Sequence, residues 1–298
     1  MQKIKPHLWF DSEAEAAVDF YISVFGGKKL DIARFTEAGF EHHQRPAGSV
    51  MTVEFEIRDY RIVALNGGPV FKLNPSLSLM LNFADKAGVD EAYRQLSVGG
   101  QDLMPLDAYD FSERYAWVQD RFGMSWQLMH DAGKDAPRIL PAMLFVGSQY
   151  GRVREALEHY TSLLPDSSVG IVFPYGPDKA PDKEEAVAYS DFQLAGQTFV
   201  AMESAHDHRF QFDEAFSFVV ECKDQKEIDD YWNSLSSNPN GGQCGWTRDR
   251  FGFAWQIVPE GIDRFFGSED QAAAERAMNA LLTMKKIDMN ELEQAYNG

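Results

Sequence analysis

The sequence predicts an α+β fold with two tandem domains, each built from paired βαβββ units. Its 298 residues suffice for two domains of about 150 residues each. Residues 117–127 (WVQDRFGMSWQ) return nearly unchanged as residues 246–256 (WTRDRFGFAWQ). Strand-like and helix-like patterns also follow one another in the same order in both copies. We therefore interpret the chain as one duplicated domain.

The repeat sets the domain boundaries. Residues 71–78 match residues 210–217, and Phe20-Tyr21 match His159-Tyr160, so the order of the matches is kept. A short polar linker with Gly and Pro at residues 131–137 separates the copies. We predict a first domain at residues 1–131, a second domain at residues 138–260, and a C-terminal helical extension at residues 261–298.

The first unit of the first domain begins with a strand at Ile4–Phe10 and a helix from Ser12 to Phe25. Ser12 and Glu15 have the spacing of a capping box at the start of this helix. Gly26-Gly27 end it. Strands at residues 30–35, 49–57 and 61–65 complete the unit.

The second unit consists of a strand at Leu77–Phe83, a helix at residues 89–96, and a hairpin of residues 115–120 and 124–129. Alternation divides the strand into two faces, one with Leu77, Leu79, Leu81 and Phe83, the other with Ser78, Met80 and Asn82. We expect the first face to pack under helices. The second face is typical of a pocket wall, and equally of a solvent-exposed sheet.

Composition excludes several classes of partner. The formal charge is 28 − 46 = −18, and Lys and Arg do not cluster, which argues against nucleic acid and against an anionic membrane surface. No apolar run approaches the roughly 20 residues of a membrane span, and charges stand where a signal peptide has its apolar core. We expect a cytoplasmic protein with two reduced thiols, Cys222 and Cys244.

Several of these features together resemble a known family. They are the paired units, residues 4–11 (IKPHLWFD), Phe20-Tyr21, residues 65–69 (LNGGP) and the Trp-Gln hairpin. The chain is similar to tandem PhnB-like proteins of the vicinal-oxygen-chelate superfamily, which includes glyoxalases, bleomycin-resistance proteins and dioxygenases. Residues 276–288 resemble the C-terminal helix of the branch labelled 3-demethylubiquinone-9 3-methyltransferase.

For the fold, the resemblance implies that each domain forms an open eight-stranded cup with helices outside. Single-domain relatives pair their sheets as dimers. The fusion would therefore supply both partners within one chain, with a further homodimer left open.

Metal-dependent members of this superfamily bind one divalent ion through His, Glu or Gln on the first, fourth, fifth and eighth strands. The resemblance puts these positions at Pro6, Ala64, Ser78 and Gln127, and in the second domain at Pro141, Ala201, Ser217 and Gln256. A shift of one residue would replace Pro6 by His7. Because one neutral amide does not hold a divalent ion, we predict no metal site in either domain.

No cofactor is predicted either. A methyl donor such as S-adenosylmethionine would normally require a Gly-rich loop after the first strand of a βαβ unit. Neither a G-x-G-x-x-G nor a P-loop motif occurs, and Asn66-Gly67-Gly68-Pro69 is more simply a turn that leaves a strand. The methyltransferase label therefore has no support from a cofactor motif.

Two other groups of residues have structural interpretations. The histidine clusters His42-His43 and His206-Asp207-His208 lie in polar segments typical of surface loops. Asp120 and Asp249 each begin the sequence Asp-Arg-Phe-Gly, which is typical of a tight hairpin turn.

The predicted cups mix apolar residues with amides and hydroxyls, as small-molecule pockets do. The expected binding residues are Asn66, Ser78, Met80 and Gln127 in the first domain and Ser217 and Gln256 in the second. Leu8, Phe10 and Met129 would add apolar wall, and Glu221 is an ionisable candidate in the second cup. No catalytic residue is assigned.

Three functions remain open from the sequence. The first is a small-molecule binding protein with metal-free cups. The alternative is an enzyme, either metal-dependent and of the glyoxalase or dioxygenase type, or dependent on a carboxylate base such as Glu54, Glu56 or Glu221. The third is a scaffold whose cups make only protein contacts.

Overall fold

The computed structural model describes residues 2–37, 39–131, 138–238, 241–266 and 270–298. The first half contains two successive units. The first unit is β1 (Ile4–Phe10), α1 (Ala14–Phe25), β2 (Lys28–Arg34), the short helix α2 (Phe40–His43), β3 (Val50–Ile57) and β4 (Tyr60–Asn66). The second is β5 (Leu77–Phe83), α3 (Lys86–Leu96), β6 (Gln101–Tyr109), β7 (Ser112–Gln119) and β8 (Ser125–His130).

The second half repeats this order with one strand fewer among the described residues. Its first unit is β9 (Ile139–Val146), a 3-10 turn (Gly147–Gln149), α4 (Val153–Leu163), β10 (Ser168–Pro174), β11 (Val187–Leu194) and β12 (Gln197–Ser204). Its second is β13 (Phe216–Cys222), α5 (Gln225–Leu235), β14 (Trp246–Arg248) and β15 (Ala254–Pro259). The chain then forms α6 (Asp263–Phe266), α7 (Gln271–Thr283) and α8 (Met289–Asn297).

The predicted α+β fold of tandem βαβββ units is confirmed, and β1 and β5 have the predicted bounds. Two details differ. Strand β6 is not predicted from the sequence, because register shifts interrupt its pairing with β7 and break simple alternation. Most of the predicted linker, residues 132–137, lies outside the described residues.

The predicted capping box at Ser12 is wrong. Helix α1 begins at Ala14 without a side-chain cap from the residue before it. The Ala14 backbone N–H instead donates to Asn66 Oδ1 at 2.8 Å, so a residue distant in sequence satisfies the start of the helix. The Ser12 backbone N–H donates to the neighbouring Glu13 carboxylate at 2.9 Å.

Each sheet takes one unit from each half, whereas the resemblance implied one eight-stranded cup within each domain. In the described residues, the order β14-β15-β13-β1-β4-β3-β2 forms a seven-stranded sheet. The order β10-β11-β12-β9-β5-β8-β7-β6 forms an eight-stranded sheet. The halves meet through two antiparallel pairs, with His7 opposite Ser217 in one sheet and Ser78 opposite Ala142 in the other. Neither sheet is complete without strands from both halves.

The main core lies between the sheets and helices α1, α3, α4 and α5. It takes alternate residues of the central strands, which in β5 are the predicted Leu77, Leu79, Leu81 and Phe83. In β1 these residues are Ile4, Leu8 and Phe10. The opposite face of each sheet carries the other set of alternate residues, including Ser78 and Met80 in β5 and Lys5 and His7 in β1. We call it the cup face.

Two buried aspartates fix the repeated turns, as predicted for Asp120 and Asp249. Asp249 accepts hydrogen bonds from two backbone N–H groups of its turn, from Trp255 Nε1 at 2.8 Å and from Tyr160 OH at 2.6 Å. Asp120 accepts two backbone hydrogen bonds and one from Trp126 Nε1 at 2.8 Å. Burial raises the pKa of both carboxyl groups. The hydrogen bonds that they accept lower it by a smaller amount, so the net shift is upward.

The C-terminal helices form a small core of their own, with Phe265, Ala277, Leu281 and Leu292 among its buried members. They are joined to the edge of the seven-stranded sheet by backbone hydrogen bonds, from Cys244 N to Met284 O and from Gly245 N to Lys285 O, both 2.8 Å. Among the described helices, none has the length and apolar character required to cross a membrane.

Candidate functional site

A chain of three polar side chains crosses the cup face of the eight-stranded sheet. Tyr115 OH donates to Gln127 Oε1 at 2.7 Å, and Gln127 Nε2 donates to Ser78 Oγ at 2.7 Å. All three residues are buried, with Ser78 and Gln127 only 1% exposed. The Ser78 hydroxyl hydrogen has no acceptor among the described residues. Ser78 and Gln127 are among the binding residues that the sequence predicts, whereas Tyr115 is not.

Apolar residues surround this polar chain. A buried cluster on the same face contains Met80, Leu140, Ala142 and Val200, with Met129, Tyr189 and Met202 packed against it. The strands of this cluster come from both halves, because β5 and β8 belong to the first half and β9, β11 and β12 to the second. The structure therefore brings the predicted residues Ser78, Met80 and Gln127 together on one face.

Both edges of this sheet carry exposed apolar side chains. At one edge, the rings of Tyr109 and Phe111 are stacked 5.5 Å apart, and both pack edge-on against Tyr115. At the other edge, Val172 packs against the main core, so its neighbours Ile171 and Phe173 point to the cup face. Phe111 is 61% exposed and Phe173 56%. We call the cup face of this sheet, with these rims, the eight-strand cup.

The equivalent polar pair in the seven-stranded sheet is Gln256 and Ser217. Gln256 Nε2 donates to Ser217 Oγ at 2.9 Å, as Gln127 does to Ser78. His7, which lies opposite Ser217, is also on this face, and its ring packs edge-on against Trp246 at 5.7 Å. Burial, with a smaller contribution from the Lys5 charge, lowers the pKa of His7 to about 3. The His7 imidazole is therefore neutral at physiological pH.

Charged groups occupy the other end of this face. Lys5 Nζ lies 2.8 Å from Glu221 and 3.3 Å from Glu54. Burial alone would lower the pKa of Lys5, but the hydrogen bonds and charges of the two glutamates raise it above its usual value. Glu54 and Glu221 thus hold a lysine, and Glu56 lies 3.2 Å from Lys28. None of the three predicted carboxylate bases is in contact with Gln256 or Ser217.

Helices α6 to α8 cover the seven-stranded sheet on this side. At the β14 edge they are joined to Cys244 and Gly245, and Val258 of β15 packs against their core. At the β2 edge, Met278 of α7 lines a cavity together with Phe35. The helices therefore extend from one edge of the sheet to the other. We call this covered surface the seven-strand cup.

Neither cup face has a donor set that fits a divalent ion. The seven-strand cup places His7, Ser217 and Gln256 next to one another, with Val63 opposite His7. The eight-strand cup has Ala142 and Val200 at the matching positions. One imidazole with an amide and a hydroxyl lacks the further imidazole or carboxylate ligands of catalytic sites. Within the described ranges, no group of three or more His, Cys, Asp or Glu residues could hold a metal.

Four of the predicted ligand positions lie on the core face of their strands and not on the cup face. Pro6 lies on the same face of β1 as Ile4 and Leu8, which point into the main core. Ala64 and Ala201 are themselves members of that core. The cup-facing neighbours are His7, Val63 and Val200, and Pro141 is likewise replaced by Ala142. Leu8 and Phe10 are core residues for the same reason and do not line a cup.

Asn66 is not brought together with the other predicted binding residues. Besides accepting the Ala14 N–H, its amide donates to Val50 O at 3.0 Å, so it connects helix α1 to strand β3. Glu203 occupies the matching place in the second half, where it accepts the N–H groups of Val153 and Val187 at 2.7 and 2.9 Å. Both side chains position a helix against a sheet.

The histidine clusters differ from one another. His43 is half-buried, with its ring 4.5 Å from that of Phe35, and it lines the cavity beside α7. Its prediction as a surface-loop residue is therefore wrong. His206 and His208 lie in the loop after β12, where His208 Nε2 is 2.9 Å from Ser204 Oγ.

The chain matches a family model and several solved structures. A family model described as 3-demethylubiquinone-9 3-methyltransferase matches residues 2–129 and again residues 137–258. A PhnB protein from Bacillus cereus is 29% identical over 44% of this chain and 100% of its own, with a TM-score of 0.40. Glyoxalase I from Zea mays is 12% identical over 86% of this chain and 93% of its own, with a TM-score of 0.52. No curated protein sequence matches.

Proposed function

The chain belongs to the 3-demethylubiquinone-9 3-methyltransferase family, within the vicinal-oxygen-chelate superfamily, and we propose that it binds a small molecule in the eight-strand cup. The ligand is largely apolar and carries one polar group that hydrogen-bonds with Ser78 and Gln127. The observation that carries this proposal is the buried chain Tyr115–Gln127–Ser78 within an apolar face whose rims are exposed.

Burying three polar side chains has an energetic cost that their mutual hydrogen bonds only partly offset. Tyr115 fixes the orientation of the Gln127 amide by donating to its oxygen, so the amide nitrogen points towards Ser78. Ser78 accepts in this arrangement and keeps its own O–H available for a ligand acceptor. A few oriented polar groups among apolar residues are the usual composition of a small-molecule site.

The surrounding residues suit an apolar ligand of variable shape. Three methionines of this face, Met80, Met129 and Met202, are flexible and polarisable, so they can adapt to the shape of a ligand. The exposed rings of Phe111 and Phe173 stand at opposite edges of the sheet, where they could close over a bound molecule. The seven-strand cup, by contrast, is covered by helices α6 to α8. We therefore expect a ligand of this kind to bind in one of the two cups, the eight-strand cup.

The family name does not by itself indicate methyl transfer by this chain. The loop Asn66-Gly67-Gly68-Pro69, the nearest Gly-rich segment, packs against Trp9, whose Nε1 donates to Gly68 O at 2.7 Å. A Cβ on Gly67 would lie 2.3 Å from the Trp9 ring. Close approach of the backbone to an indole explains this glycine without a cofactor. We expect no binding of S-adenosylmethionine.

A thermal-shift screen of metabolites against the full-length protein tests the proposal. A ligand that binds only the folded state raises the melting temperature. For a compound that does so, Gln127→Ala should weaken binding about tenfold, the equivalent of losing roughly one hydrogen bond.

Gln256→Ala is the matched control, because Gln256 makes the same contact with a serine in the covered cup. It should leave the affinity for the compound unchanged. The proposal fails if the stabilising compounds lose affinity equally in both variants, or if Gln127→Ala, shown to be folded, binds them as the parent does.

A further inference from the structure

A second place for a ligand lies outside the eight-strand cup, between α7 and the β2 edge of the seven-stranded sheet. A cavity of about 200 Å³ is found there, which we call the α7 cavity. Its walls are mainly apolar and come from distant parts of the chain, namely Phe35, His43, Met51, Phe266, Met278 and Leu282.

Helix α7 presents two different stripes of residues. Ala277 and Leu281 pack into the core of the C-terminal helices. Ala274, Met278 and Leu282, spaced four apart on an adjacent stripe, line the cavity. The helix is therefore fixed through one stripe, while the other borders a space that the protein's own side chains do not fill.

The opposite wall is a loop shaped by a glycine with left-handed backbone geometry. Gly39 has φ +74°, and a Cβ there would lie 3.0 Å from Leu282 Cδ1. The loop thus approaches α7 closely at this point, and the ring of Phe35, which lies 4.5 Å from the His43 ring, lines the cavity beside it. This contact bounds the cavity at Gly39, and Met51 and Met278 line it further on.

We propose that the α7 cavity is a binding site for a small apolar molecule of about the size of one substituted aromatic ring. An apolar protein cavity of about 150 Å³ holds benzene, so about 200 Å³ accommodates such a ring. Two methionines in the wall suit this occupant, because thioethers make favourable contacts with aromatic rings and adapt to their shape. This site is independent of the eight-strand cup.

Methyl NMR of the full-length protein, labelled with ¹³C at the methionine methyl groups, tests the inference with phenol as the probe. The affinity expected for a ligand of this size is on the order of 1 mM. Phenol should shift the Met51 and Met278 signals in a saturable way. Met124, fully buried in the main core, should not move.

Ala274→Leu fills the cavity and should weaken phenol binding at least tenfold. Ala272→Leu adds the same volume at an exposed position of the same helix and should leave it unchanged. The unmodified protein also gives a result that does not depend on a variant: no saturable shift of Met51 and Met278 refutes the inference. Unchanged binding in folded Ala274→Leu refutes it as well. Shifts confined to Met80 would place phenol in the eight-strand cup and overturn the α7 site alone.

Discussion

Acidification should destabilise the protein through His7, and replacing this residue with phenylalanine should remove that effect. His7 is 5% exposed, and its Nδ1 has no hydrogen-bond partner in the part of the chain that the structure describes. Desolvation in this position, with the nearby Lys5 charge, lowers its pKa to about 3. His7→Phe keeps an aromatic ring beside Trp246 and removes the titration.

The size of the effect follows from linkage between protonation and folding. An unfolded chain binds a proton at His7 with a pKa of about 6.5, whereas the folded protein does so only near a pKa of about 3. The unfolded state therefore binds more protons in this interval, and stability falls as the pH drops below about 6.5. Between pH 7 and pH 5, His7 should cost about 2 kcal/mol of unfolding free energy, from 1.36 kcal/mol per pH unit.

Urea denaturation at pH 7 and pH 5 measures this loss for the parent and for His7→Phe. The parent should lose about 2 kcal/mol more than the variant between these two values. Ser217→Ala changes the residue opposite His7 without removing a titrating group, so it should retain the parent's pH dependence. Equal losses in the parent and His7→Phe would mean that water reaches His7, and would refute the closed seven-strand cup.

Three further predictions concern the turns, the shared sheets and the cofactors. Asp249→Ala leaves Tyr160 OH, Trp255 Nε1 and two backbone N–H groups without an acceptor, so it should cost about 3 kcal/mol in urea denaturation. Asp120→Ala removes the matching acceptor from two backbone N–H groups and Trp126 Nε1, so it should cost a comparable amount, and a loss below about 1 kcal/mol in either variant would contradict this account.

Fragments 1–131 and 138–298 should co-purify when expressed together, because each sheet needs both halves; a folded monomer of either fragment in size-exclusion chromatography would argue against this. Calorimetry should find no saturation with S-adenosylmethionine, and elemental analysis after incubation with divalent ions should find no stoichiometric metal; one retained ion per chain would show that the donor set had been misjudged.

Local patterns determined how well the fold could be predicted. The strands β1 and β5 were predicted with their bounds because each has a strictly alternating core face, such as Leu77, Leu79 and Leu81. Alternation states which face a side chain occupies, but not which strand lies beside it. The exchange of units between the two sheets therefore had no local signal.

Site residues could be predicted only where the alternation of residues within a strand shows which face each side chain occupies. Ser78 and Met80 follow directly from alternation along β5, and Gln127 follows from the repeated Trp-Gln sequence. Pro6 was assigned as a ligand position by resemblance to the family. Because Ile4 and Leu8 lie on the core face of β1, alternation assigns His7 and not Pro6 to the cup face. Asn66 was misjudged because its role depends on the start of a helix more than fifty residues earlier in the chain.

The central claim is that the eight-strand cup binds a small molecule through Gln127. Isothermal titration calorimetry, with the best compound from the thermal-shift screen, tests it most directly in the parent, Gln127→Ala and Gln256→Ala proteins. The account predicts one site per chain, with binding about tenfold weaker in Gln127→Ala and unchanged in Gln256→Ala. Two equivalent sites per chain, or a loss of affinity only in Gln256→Ala, would contradict it.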